Sequence, residues 1–186
     1  MRKIVFTAIT SLDGYIEDPN GDFGRLEPAE DLHQFANDKA AESSAFLLGR
    51  GLYETMVPFW PDAAKNPTGS EVMDEFARIY AERPRYVFSR TLESVDEGST
   101  LVKGDITEFV EKLKQEPGDP MDLGGPGIGE TFAGLGLVDQ VCLMLMPVVF
   151  GGGKPALGPS FVDMEFELVD SIQFGSGAVA MTYERT

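Results

Sequence analysis

The run Gly124-Gly125-Pro126-Gly127-Ile128-Gly129 concentrates the residue types that could hold a ligand. It follows the short stretch Met121-Asp122-Leu123 and opens a helical pattern from about Ile128 to Ala133, so a strand should turn directly into a helix here. Glycines let a backbone approach a ligand closely. The first turn of a helix adds unpaired N–H groups at the positive end of its dipole. A pyrophosphate suits that chemistry, and an ordinary tight strand-to-helix turn needs the same glycines. The spacing is not G-x-G-x-x-G. Counted from Gly124, Pro126 takes the second glycine's place; counted from Gly125, Glu130 takes the third's.

Gly49-Arg50 repeats the arrangement after the apolar stretch Ala45 to Leu48, and Ser89-Arg90 ends the stretch that begins at Arg85. A hydroxyl beside a guanidinium suits a ribose 2′-phosphate. The chain has 186 residues and a formal net charge of −16, which repels nucleic acid and anionic membranes. Any bound phosphate would need a local cluster of amides and cations, so Arg50, Arg90 and Lys103 stand out against solvated surface charge. Phosphate sites at successive strand ends would hold one extended ligand along the carboxyl edge of a sheet.

Two acids have positions of interest. Asp31 falls in the first turn of a helix, where it either complements the dipole or meets a substrate. Asp13 lies in a long polar segment as a turn residue or a proton carrier. Phe59 and Trp60 could stack on a flat ring or pack in a core. His33 is the single histidine and Cys142 the single cysteine, so neither a zinc site nor an intrachain disulfide is expected. Cys142 sits in the apolar run from Val138 to Phe150 and reads as core in a reducing compartment. That run is too short for a membrane span, and no apolar leader develops before Asp13, which places the expected site of action in the cytoplasm.

The positioning elements follow from periodicity. Lys3 to Ile9, Ala45 to Leu48, Arg85 to Ser89, Ser99 to Val102 and Met121 to Leu123 read as strands. Helices should open near Pro28, at Arg50, after a Ser70 cap and after an Asp105 cap. Residues 10–26 carry turn signals and no periodicity, and a loop that long is usually functional. Beyond Gly136 the helices stop. Val138 to Met146, Phe166 to Phe174 and Ala178 to Glu184 are strands, the last two an antiparallel pair. The pattern predicts one α/β domain over residues 1–186, with a mostly parallel central sheet, an antiparallel C-terminal edge and helices on both faces.

Taken in order, several blocks resemble the dihydrofolate-reductase-like superfamily, closest to the C-terminal reductase domain of riboflavin-biosynthesis proteins. They are Thr10-Ser11-Leu12-Asp13-Gly14-Tyr15-Ile16, Leu48-Gly49-Arg50 with Tyr53-Glu54, Gly124-Gly125-Pro126-Gly127, Gly136-Leu137-Val138-Asp139, and the stretch from Pro147 through Gly151-Gly152-Gly153-Lys154-Pro155. The resemblance implies an NADPH-dependent oxidoreductase that is a homodimer. Ala8 and Ile9 would line the nicotinamide pocket, beneath a mobile flap formed by residues 10–24. Gly49, Arg50 and Leu52 would hold cofactor phosphate, and Ser89 and Arg90 the adenosine ribose end. Gly124, Gly125, Gly127 and Ile128 would cradle the pyrophosphate. Asp31-Leu32 with Phe35 resembles the dihydrofolate-reductase helix that carries the substrate-binding acid, so Asp31 or Asp13 would deliver the proton. Phe35, Phe59 and Trp60 would contact a small heterocyclic substrate, pyrimidine- or pterin-like.

The named substrate the resemblance favours is 5-amino-6-(5-phosphoribosylamino)uracil. Dihydrofolate reduction is the alternative in the same class, and a non-catalytic nucleotide-binding or assembly module the alternative in another. Riboflavin-type reductases carry an Asp-Pro-x-Leu element after the Gly-Arg segment. This chain reads Tyr53-Glu54-Thr55-Met56-Val57-Pro58-Phe59-Trp60 there, which implies a stand-alone branch with its own substrate.

Overall fold

Apolar residues alternating with small or polar ones build a first strand, β1 (Ile4–Thr10), that ends at the centre of an eight-stranded sheet. The computed structural model describes residues 1–186. The other strands of that sheet are β3 (Ala45–Gly49), β4 (Arg85–Phe88), β5 (Ser99–Val102), β6 (Met121–Gly124), β7 (Gln140–Leu145), β9 (Phe166–Gln173) and β10 (Val179–Arg185). Their order is β5-β4-β3-β6-β1-β7-β10-β9. Every pair from β5 to β7 is parallel, and β10 pairs antiparallel with both β7 and β9. This is the mostly parallel α/β sheet with an antiparallel C-terminal edge that the sequence pattern predicts.

Parallel neighbours need crossover connections. The crossover helices are α1 (Glu30–Glu42), α4 (Glu71–Glu82), α5 (Ile106–Gln115) and α6 (Pro126–Gly134), with the short α2 (Arg50–Met56) and α3 (Trp60–Ala63) between β3 and α4. A crossover helix runs back against its strands, so its N-terminus lies at the edge where the strands end. The burial pattern assigns the faces. Leu32, Phe35 and Ala40 of α1, Tyr53 of α2, and Ile79 and Tyr80 of α4 pack with the even-numbered residues of β3 and β7. Val110 and Leu113 of α5 and Phe132 of α6 pack on the opposite face with Ile4, Phe6, Leu47 and Leu123. The chain therefore leaves β1 and β3 towards one face and leaves β6, which lies between them, towards the other. That reversal opens a crevice at the strand ends, where ligands of open α/β sheets bind.

Several local features depart from expectation. The segment 10–26 is joined to the rest of the chain at several points. It contains β2 (Tyr15–Glu17), which pairs with β8 (Lys154–Pro155) in a two-stranded sheet. Leu12 N–H also donates to Val148 O at 2.7 Å, and Arg25 reaches Val149 O at 3.2 Å. Asp105 caps α5 as expected, accepting from Glu108 N–H at 3.0 Å. Ser70 stands at the N-cap of α4 without capping it through its side chain. Instead Asp74 reaches back to the N–H and hydroxyl of Thr68, because the preceding Gly69 turns the chain at φ +89. Helix α1 begins two residues past Pro28 and α6 two before Ile128, ordinary displacements for helix ends.

Candidate active site

Register brings the three predicted glycine or serine turns to one edge. Leu48 of β3 pairs with Gly124 of β6, Gly49 with Phe88 of β4, and Thr7 of β1 with Gly124. Gly49 thus closes β3, and Ser89 and Gly125 follow the ends of its neighbours β4 and β6, the three strands being spaced about 4.8 Å apart. The glycines answer to packing as well as access. A Cβ on Gly124 would lie 2.5 Å from Leu52 Cδ2, and one on Gly49 3.0 Å from Ile128 Cγ2. Gly125 has φ +104, and its Cβ would come within 3.8 Å of Gly49 N. Leu52 and Ile128 therefore close the floor between the strand ends, and a ligand would lie on this floor. Gly127 faces open space. Pro126 has no N–H, Gly129 N–H already donates to Gly125 O at 2.9 Å, and the N–H groups of Gly127 and Ile128 have no acceptor in the chain.

The cations flank this floor. Arg50 donates from Nε to Glu54 Oε1 at 2.8 Å and from Nη1 to Thr91 Oγ1 at 2.7 Å, bridging α2 to the turn after β4. Ser89 Oγ accepts from the N–H groups of Thr91 and Leu92, so it shapes that turn. Arg90 and Lys103 are exposed and make no ion pair. Tyr53 fastens the same region. Its hydroxyl accepts from Asp96 N–H at 2.9 Å, and Asp96 pairs with the buried Arg85 at 3.2 Å.

The two predicted acids lie elsewhere on the edge. Asp13 accepts from Phe150 N–H at 3.1 Å and Gly151 N–H at 2.7 Å, clasping β2's loop to the Gly151–Gly153 turn. The Ser11 hydroxyl and then those amides hold its pKa below the ordinary carboxylate value. Asp31 accepts from Leu32 N–H at 2.8 Å and from Ser176 N–H at 3.0 Å, in the β9–β10 hairpin turn. The Ser176 amide is the main cause of its lowered pKa. It borders an open cleft of about 560 Å³ with Ala29, Glu30, Gln34, Val72 and Ser176. At neutral pH both acids are carboxylates held by backbone amides, which equips them to fasten loops.

Phe35 is buried against Phe174 at 5.4 Å between ring centres. Trp60 packs edge-on to Phe76 at 4.6 Å, and Phe59 lies exposed against Trp60. His33 is half-buried near Phe76, and burial lowers its pKa. No cluster of metal-ligating side chains is present. The α1 face of β1 is unusually open for a central strand: Val5, Thr7 and Ile9 are only partly buried, as is Ala8 on the other face.

One acid escaped sequence reasoning. Asp122, between Met121 and Leu123 on β6, points to that α1 face, since its two neighbours point into the opposite core. Its Oδ1 is sealed from solvent and has no hydrogen-bond partner. Burial pushes its pKa up to about 6, opposed only by the Thr7 hydroxyl. Its signal in the sequence is a charge inside an otherwise apolar strand, just before the glycines.

The RibD C-terminal domain family matches residues 2–180. YyaP, an uncharacterised protein of Bacillus subtilis (strain 168), is 32% identical over 98% of this chain and 94% of its own length. Among solved structures, a putative riboflavin biosynthesis protein from Shewanella sp. PV-4 superposes with a TM-score of 0.78 at 24% identity, covering 100% of this chain and 99% of that one. Dihydrofolate reductase from Enterococcus faecalis, complexed with NADP(H), superposes with a TM-score of 0.62 at 14% identity, covering 99% and 96%. These two likenesses establish the fold, and the match across nearly the whole sequence establishes the lineage: the chain belongs to the RibD C-terminal domain family.

Proposed function

We propose that this protein is an NADPH-dependent reductase of a small pyrimidine- or pterin-like heterocycle, acting in the cytoplasm. The observation that carries the reading is the rim of unpaired amides and cations at adjoining strand ends, set in the crevice where the sheet connections reverse. The free N–H groups of Gly127 and Ile128 suit a pyrophosphate. Arg50 and Arg90 suit the phosphate at the adenosine end, and they oppose a net charge of −16 that would otherwise repel it. When bound, the nicotinamide supplies a hydride to a C=N or C=O carbon. The chain's own contribution is orientation and water exclusion: Leu52 and Ile128 floor the crevice, Ala8 and Ile9 form its β1 wall, and β2 with β8 closes over the end of β1. The phosphoribosylamino-uracil substrate is favoured over dihydrofolate because Asp31 is engaged with Ser176 rather than free to read a pterin.

Trp60 is the single tryptophan and reports on the α2–α3 region, so quenching of its fluorescence by NADPH is a direct assay. Saturable binding supports the reading, and no binding at millimolar NADPH overturns it. Arg50→Ala is expected to weaken NADPH about tenfold, the equivalent of one charge-assisted hydrogen bond of roughly 1.4 kcal/mol. NADPH oxidation at 340 nm with 5-amino-6-(5-phosphoribosylamino)uracil and with dihydrofolate then separates the substrates.

A homodimer through β9 belongs to the same proposal. Leu168, Val169 and Ile172 are 50%, 50% and 37% exposed on this edge strand, and uncovered apolar edges favour strand pairing. Val169→Lys should shift the protein from dimer to monomer in light scattering; a wild type that is monomeric at high concentration refutes this part.

A further inference from the structure

We propose that Asp122 is the acid that protonates the substrate, donating from its carboxyl group to the nitrogen or oxygen of the C=N or C=O bond being reduced. The inference rests on the reductase reading and adds the proton source that reading lacks. Three observations carry it. Asp122 stands on β6 two residues before Gly124, on the face that β1 leaves partly open beneath α1. Thr7, in register with Gly124, places a hydroxyl beside it on that face. Its Oδ1 is enclosed and unpaired, an arrangement that costs stability and calls for a ligand group to complete it. Asp13 and Asp31, by contrast, spend their oxygens on backbone amides.

The charged surroundings favour a protonated carboxyl. No Lys, Arg or His pairs with Asp122. On the same face stand the buried thiol of Cys142 on β7, Lys39 of α1, Asp170 of β9 and, towards α2 and α4, the hydroxyls of Tyr53 and Tyr80. Burial raises the Asp122 pKa to about 6, so it holds a proton over part of the physiological range and can release it. In the step, the substrate carbon gains a hydride and forms a C–H bond. The C=N or C=O π pair moves onto the heteroatom, which takes the Asp122 proton, and water entering by the partly open face of β1 reprotonates the carboxylate. NADPH is the reductant and leaves as NADP⁺.

The test joins a titration with kinetics. Carboxyl ¹³C NMR of the ligand-free protein, assigned with Asp122→Asn, should give Asp122 a midpoint near 6, and Thr7→Val should move it higher. Asp122→Asn should keep NADPH affinity within twofold, lower kcat about 100-fold, and flatten the pH–rate profile between pH 5 and 8. Asp122→Leu, with an apolar side chain of similar size, serves if the Asn variant folds poorly. A midpoint below 4.5, or an Asp122→Asn enzyme with wild-type kcat, overturns the proposal alone. If the wild type turns over neither substrate, the proposal falls together with the reductase reading.

Discussion

Gly153→Ala is expected to lower stability by about 3 kcal/mol or more, as a drop in the urea midpoint, and to weaken NADPH binding with it. A Cβ at residue 153 would lie 2.0 Å from Glu17 O, and the backbone there has φ +123. Neither obstacle can yield cheaply. The blocking atom is backbone, and it belongs to the strand that β8 pairs with. The substitution must either part β2 from β8 or strain the Gly151–Gly153 turn. In both cases the Asp13 carboxylate loses its hold on Phe150 and Gly151, and the loop over the end of β1 comes free. Gly51→Ala is the control. It sits inside α2 with nothing within 4 Å of a new Cβ, and should raise stability by about 0.5–1 kcal/mol. If the two substitutions behave alike, the clasp does not hold the loop as described.

Asp122→Asn is expected to stabilise the ligand-free protein by about 2–3 kcal/mol at pH 8 and to leave it nearly unchanged at pH 4. The folded pKa of about 6 lies above the ordinary 3.8, so between those values the folded protein holds a proton that the unfolded chain has released. Stability from this group is greatest below pH 4 and falls as pH rises through 6. Asparagine does not ionise and avoids that loss. Asp13, Asp31, Asp74, Glu75 and Glu184 have lowered pKa values and act in the opposite sense, losing stability in acid. They are shared by both proteins, so the difference between variant and wild type isolates Asp122. A difference that does not grow between pH 4 and 8 would mean that the group ionises freely. A residue whose removal strengthens the fold while slowing the reaction is a familiar mark of an active site.

The sheet and its helices were readable because each rests on a local signal. Alternation marked β1, a fully apolar run marked β3, and Asp105 marked the start of α5. The ends of β3, β4 and β6 could be placed side by side because each closes on a glycine or serine before a cation or a helix. What local sequence could not carry were partners distant along the chain. Strands β2 and β8 have three and two residues, too few for any periodicity, and they meet only because Gly153 permits the approach. Asp13 binds amides 137 and 138 positions away, and Asp31 one 145 positions away. Their residue types admitted catalysis, and only the tertiary structure shows the backbone amides they hold. Asp122 is the converse case: its strand and its face were both deducible, but its enclosure depends on how α1 lies across β1.

The hairpin formed by β9 and β10 touches two places at once. Its outer strand is the bare margin of the sheet, and its turn grips the first coil of α1 through Ser176 and Asp31. A second copy paired along β9, as proposed, would load one arm of this hairpin while the other grips the cleft's rim. Self-association and ligand affinity would then vary together on dilution, although no side chain of the second copy need enter the cleft.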